Sequence, residues 1–262
     1  MVLNKNIILN KFDNNGFVIL PLFDKRKLKN LQKNLSILIN NSYKKNKIKF
    51  NHNINSINET INMGMINLEK ENHKYLSEIY DIMSKSTDFL NLLMNEKILN
   101  IVKILLGLPK NKNLLINSTT IRMDTPGISK YTYGWHKDEN TNIPGSNFVQ
   151  LWAPLFNKVS KSNGALEVAL KSHLSNFRTN KTYSEKRKLG KDNRSSYNNT
   201  FIIKDKFKKK SLTMNIGEVL FLKKNLIHRS GLTKNKSMRY ACTCFYHNIN
   251  DEKFRYYKID RK

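Results

Sequence analysis

The sequence predicts a mainly β protein with flanking helices: a jelly roll carried on a helical support. Three observations lead there. The first hundred or so residues show helical apolar spacing around one early strand. After Pro109 the chain breaks into eight short β-type runs separated by turn residues. No internal repeat and no linker rich in Pro, Gly or Ser divides the 262 residues, which reads as a single domain over 1–262.

In chain order, "GFVILPLF" is an early strand ended by Pro21 and Phe23, and Asp24 is placed to cap the helix "KRKLKNLQKNLSILINN". Leu28, Leu31, Leu35 and Leu38 recur there at helical spacing, which marks a buried stripe. A second helical region, 72–107, stops at Gly107 with Pro109 behind it. Residues 1–108 thus form the support and 109–250 the core. The candidate strands are "LLINSTTIRMD", "TYGWHKD", "NFVQLWAPLF", "ALEVAL", "SLTMNI", "EVLFLKK", "LIHRSG" and "MRYACTCFYHN"; eight of them suggest a jelly roll. Between the fourth and fifth lies a long basic stretch, 176–210, either a disordered insertion or a lid that closes over an anionic substrate.

The formal net charge of +27 would ordinarily suggest nucleic acid, an acidic membrane surface or an anionic ligand. Here Lys, Asn and Ile are spread from end to end, as an AT-rich coding sequence would leave them, so the charge reads as a solvated surface and argues little for a nucleic-acid partner. Cys242 and Cys244, the only cysteines, alternate along one strand, too close for an ordinary disulfide and without zinc spacing; they read as structural thiols. No apolar run approaches a membrane span and the first residues lack a secretory pattern, so the expected compartment is the cytoplasm.

The chemistry concentrates in "GWHKDEN". On a strand, His136 and Asp138 would project from one face, the geometry of a chelate. Chance alone supplies roughly half a His-x-acid pair in a chain of this composition, so the motif needs a third member. His228, in the late run "LIHRSG", is the candidate, and two His with one carboxylate mark a non-haem Fe(II) site with positions left for O2. An enzyme of that kind using 2-oxoglutarate needs a buried arginine for the distal carboxylate. Arg239 follows His228 by eleven residues on the next strand, and Ser230 adds a hydroxyl. Gln150, on the same strand face as Trp152, is a candidate substrate contact, as is Arg122, two residues after Thr120. His173 reads as a loop residue beside the site; His52, His73 and His247 read as structural or exposed.

With these residues in view, the sequence resembles the phytanoyl-CoA dioxygenase family of Fe(II)/2-oxoglutarate oxygenases. The stretches that carry the resemblance are "GFVILPLFD", "RMDTPG" with "WHKD", "VQLWAPL", "SNGALEVALKSH", "GEVLFLKKNLIHRSG" and "RYACTCFYH", in the family's order. The resemblance implies a double-stranded β-helix, the cupin-like jelly roll. His136, Asp138 and His228 would bind Fe(II), and Arg239 and Ser230 would grip the C5 carboxylate of 2-oxoglutarate. Trp152 and Thr120 would line the co-substrate pocket. It further implies oxidation of a small or carrier-linked, perhaps anionic, substrate by O2, with succinate and CO2 released. Where the family often has Pro-Gly-Ser-His, this chain reads "LKSH", which alters a loop but no ligand. Family members that halogenate replace the metal carboxylate with a small residue; Asp138 is present, which favours hydroxylation. Two other readings stay open: an oxygenase acting on nucleic acid or protein, and a jelly-roll binding protein without catalysis.

Overall fold

Strand β10 (Arg239–Asn248) has both faces buried, and this organises the molecule. A strand alternates its side chains. Tyr240, Cys242, Cys244 and Tyr246 accordingly pack into the helical layer, while Ala241 joins the apolar cluster between two sheets. Arg239, Thr243, Phe245 and His247 share the Ala241 face.

The computed structural model describes residues 4–127, 132–138, 146–175, 183–185, 198–200, 203, 206–231 and 236–249. The basic stretch 176–210, read above as insertion or lid, lies largely outside the described residues. The larger sheet has the order β1 (Phe17–Pro21), β8 (Glu218–Lys223), β3 (Phe148–Pro154), β10 and β2 (Leu114–Asp124), all neighbours antiparallel. The smaller one is β7 (Lys209–Ser211), β4 (Glu167–Ala169) and β9 (His228–Arg229). A separate pair joins β5 (Tyr183–Glu185) to β6 (Asn198–Thr200). Phe17, Trp152, Leu220, Leu222 and Ala241 from the large sheet meet Val168, Leu212, Met214 and Leu226 from the other side, which closes the expected jelly roll around an apolar interior.

The helices cover the outer face of the large sheet. They are α1 (Lys5–Asn15), α2 (Lys25–Lys45), α3 (Ile57–Glu59), which runs through a π turn at Thr60–Gly64 into α4 (Met65–Glu71), α5 (His73–Ser84), α6 (Thr87–Leu93) and α7 (Glu96–Leu105). Asp24 caps α2 as expected, its carboxylate accepting from Arg26 N at 2.7 Å. Leu28, Leu31 and Leu35 are buried; Ile39 and Tyr43 continue the stripe, and Leu38 is only partly covered. The region 72–107 is three helices instead of one, because Ser86 and Asn95 each cap a new start. Gly107, at φ 68°, ends the last: its N–H bonds Ile104 O and that of Leu108 bonds Lys103 O, a Schellman closure.

Tyrosines join the layers. Tyr240 donates to Ile61 O, and Tyr246 donates to Leu93 O at 2.7 Å, so β10 carries hydroxyls that satisfy helix-end carbonyls. At the sheet edge the hydroxyl of Ser84 accepts from Ile121 N at 3.0 Å, which covers a free donor of β2. The two cysteines are free and buried, with their thiols pushed up by burial, Cys244 to about 12. Among the described residues no helix is long and apolar enough to cross a membrane.

Candidate functional site

His136, Asp138 and His228 converge. One ligand atom from each lies within 4.8 Å of the others. His136 Nε2 is 3.7 Å from Asp138 Oδ1, and His228 Nε2 is 3.5 Å from Asp138 Oδ2. The backbone brings the histidines together: His136 N donates to His228 O at 2.9 Å and His228 N returns a bond to His136 O at 3.0 Å. Both rings are oriented by their far nitrogens. His136 Nδ1 lies 2.7 Å from Gly134 O, and His228 Nδ1 lies 3.0 Å from Leu226 O. A carbonyl only accepts, so each Nδ1 holds the proton and each Nε2 presents its lone pair to the shared space.

The segment 132–138 is not the strand the sequence suggested. His136 forms a single β-bridge with His228, and no ladder extends from it. The segment is held instead at separate points. Tyr133 N donates to the Ser230 hydroxyl at 3.1 Å, and Ser230 N donates to Tyr133 O at 3.0 Å. The Arg229 guanidinium lies 4.7 Å from the centre of the Trp135 ring, and Glu167 fixes that arginine through bonds of 2.7 and 2.6 Å. The chelating geometry therefore comes from cross-chain pinning and not from strand alternation.

Burial governs the charges. Both histidines are lowered to about 4, by desolvation first and, for His136, also by the neighbouring His228. Asp138 is pushed up to about 6 by burial, with His136 pulling the other way. At neutral pH the site thus offers two neutral imidazoles and one carboxylate, facing inward with tautomers already set. This donor set fits a divalent iron-type ion.

The arginine expected to serve the co-substrate is deeply enclosed. Arg239 is 5% exposed; its Nε and one terminal nitrogen bond Asp124 Oδ2 at 2.8 and 2.6 Å, and the other terminal nitrogen donates to Gly164 O and to Gly231 O. Asp124 also accepts from Arg122 through Oδ1 at 3.2 Å. Arg122, on the same β2 face, lies with its guanidinium 4.9 Å from the centre of the Tyr133 ring, and that ring is 5.5 Å from the ring of His136. Thr120 pairs across to Thr243 and shares a hydrogen bond with Tyr80 of α5. Trp152 is 4% exposed inside the apolar cluster, and Gln150, 6% exposed, reaches the Thr243 hydroxyl at 3.5 Å while its carbonyl end has no partner among the described residues.

Asp124, Tyr133, Tyr80 and the Trp135–Arg229–Glu167 group were not singled out from the sequence. The alternation R-x-D at 122–124 was a legible signal for the first. Nothing local marks the others. His173 has a structural part: its Nε2 bonds Asp13 O at 2.9 Å, and its ring abuts Gly16. His52 packs on Tyr43 and Phe50, His247 is fully buried beside Ser146 and Phe148, and His73 is exposed.

Comparison with known proteins bears on this geometry. The phytanoyl-CoA dioxygenase family matches residues 12–241. The chain belongs to that family. No curated protein gives a significant match. Among solved structures, the phytanoyl-CoA dioxygenase fold recurs in EctD from S. alaskensis, determined with 2-oxoglutarate and 5-hydroxyectoine: TM-score 0.61, 16% identity, covering 95% of this chain and 77% of that one. EvdO2 from Micromonospora carbonacea var. aurantiaca, complexed with 2-oxoglutarate, gives 0.59 at 14% identity, with 95% and 92% covered. The epimerase SnoN from nogalamycin biosynthesis, in complex with Fe3+, alpha ketoglutarate and nogalamycin RO, gives 0.56 at 12%, with 93% and 83% covered. At these identities the likeness concerns the fold, here the cupin-like jelly roll with flanking helices.

Proposed function

We propose that this chain, as a single catalytic domain, uses Fe(II), 2-oxoglutarate and O2 to hydroxylate a small or carrier-linked organic substrate. Membership of the phytanoyl-CoA dioxygenase family makes it an iron- and 2-oxoglutarate-dependent oxygenase. His136, Asp138 and His228 are the proposed iron ligands. The observation that carries this reading is the inward convergence of two carbonyl-oriented imidazoles on one carboxylate.

Bound together, the metal and co-substrate supply the oxidising power to break a substrate C–H bond, with succinate and CO2 leaving. The protein's own groups do the rest. Gly134 O and Leu226 O keep each Nε2 unprotonated. Arg239 has five N–H donors, four of them engaged, so one terminal N–H and the Ser230 hydroxyl would receive the distal carboxylate of 2-oxoglutarate. Trp152 and Thr120 would wall that pocket, while Leu220, Leu222 and Leu226 keep water from the interior. Hydroxylation is the proposed outcome because Asp138 fills the carboxylate position; SnoN, an epimerase, shows that the fold also serves another outcome.

An anaerobic titration of the metal-free protein with Fe(II) and 2-oxoglutarate tests the reading by following the visible charge-transfer band of the chelate. The band is expected in the wild type, absent in His228→Ala and weakened in Arg239→Ala. A correctly folded wild type that gives no band overturns it and favours a jelly roll that only binds ligand.

A further inference from the structure

From the Arg122–Tyr133 pair we infer a second anion subsite beside the metal centre, built to take the carboxylate of the primary substrate. The inference rests on the oxygenase reading and adds a substrate class to it: small monoanionic organic acids.

Three features lead there. The first is the division of Asp124. Arg239 takes Oδ2 through two bonds of 2.8 and 2.6 Å, and Arg122 takes Oδ1 through one of 3.2 Å. Two guanidiniums on one carboxylate leave the cluster with a net positive charge, and a cation held away from water is stabilised by an anion brought to it. The second is exposure. The Arg122 side chain is 16% exposed against 5% for Arg239, so the first guanidinium borders open space and the second is sealed. The third is direction. Arg122 lies over Tyr133, whose ring is the neighbour of His136, so the arginine borders the metal site along a wall of its own.

The surroundings suit a carboxylate. Tyr80 and Thr120, joined by a hydrogen bond, put hydroxyls beside Arg122, and a planar fork backed by an aromatic ring matches a flat acid group. A single net charge fits a monoanion; a phosphate dianion calls for more. Farther along the interior, Thr243 is half-buried between fully buried Cys242 and Cys244, which indicates open space above it. This polar lining does not suit a long acyl chain.

Paramagnetic relaxation locates such a subsite without knowledge of the true substrate. Protein loaded with Mn(II) and saturating 2-oxoglutarate, free of O2, is mixed with trifluoroacetate or with monofluorophosphate, and 19F relaxation is recorded for wild type and Arg122→Gln. The bound metal relaxes only nearby fluorine, so anions scattered over the basic surface do not register. Expected is metal-dependent relaxation of trifluoroacetate in the wild type, about tenfold weaker binding in Arg122→Gln, and an intermediate loss in Arg122→Lys, which keeps the charge and the fold but not the fork. No relaxation in the wild type, or equal relaxation in all three proteins, overturns the subsite. So does a 2-oxoglutarate chelate band in Arg122→Gln that weakens as much as the probe, because Arg122 would then serve the co-substrate. A preference for monofluorophosphate overturns the carboxylate class. Absence of the band from the wild type marks the failure of the oxygenase reading itself and takes the subsite with it.

Discussion

His228 Nε2 lies 3.5 Å from Asp138 Oδ2, and neither residue reaches that position by regular strand pairing around Asp138. The contact depends on the two-bond bridge between His136 and His228, which sets a late strand against an irregular segment. Asp138→Asn keeps the size of the side chain but not its charge. Iron affinity is expected to fall by about 100-fold or more, with the far-ultraviolet spectrum unchanged. Isothermal titration with Fe(II) under argon checks it, and wild-type affinity in the variant would remove Asp138 from the ligand set.

The metal-free protein should lose stability as pH drops from about 6.5 toward about 4. His136, His228 and His247 are each lowered to about 4 in the fold, from an ordinary 6.5. In that window the unfolded chain takes up protons that the folded histidines refuse, so unfolding is favoured as pH falls. Asp138, raised to about 6, acts oppositely: the folded state gains its proton first, and stability rises as pH falls through that value. Three histidines outweigh one carboxylate. Urea melts at pH 7, 5.5 and 4.5 give the slope, and a flat profile would contradict the burial argument.

Gln150 carries a buried carbonyl with no partner among the described residues. Exchanging the side-chain oxygen and nitrogen would only move the unmet group to the other end of the amide. Gln150→Leu is expected to raise the unfolding free energy of the metal-free protein by about 1 kcal/mol, since the orphaned polar atom disappears. The same change is expected to lower substrate-stimulated succinate release. A destabilised variant would mean that the amide is already satisfied in the resting protein.

Gly16 sits at φ 80°, and a Cβ there would come 2.5 Å from His173 Nδ1. Gly16→Ala is expected to cost about 1–3 kcal/mol, from left-handed strain plus the clash. His173→Ala in the same chain should recover the clash but not the strain. Thermal melts of the two single variants and the double one separate the contributions; strict additivity would show that the ring and the glycine do not compete for space.

Much of this protein was legible in the chain itself. Periodicity distinguished a helical support from a strand-built core, because apolar spacing is dictated by which face must leave water, and that pressure is local. Asp24 and Gly107 marked helix ends for equally local reasons of capping and left-handed backbone. His136, Asp138 and His228 could be named because few side chains suit a hard-to-borderline metal, so residue type alone narrowed the choice. Residue type could not supply partners. Alternation assigns Arg239 and Arg122 to the barrel interior, yet only the register of β10 against β2 sets both on Asp124. Strand propensity suggested a ladder through "TYGWHKD"; the tertiary structure replaced it with isolated bonds to Ser230 and His228 and a stacked Arg229. Partner choice for buried charges and unpaired backbone is decided by whatever neighbouring strands bring within about 3 Å, and that distance exists only once the chain has folded.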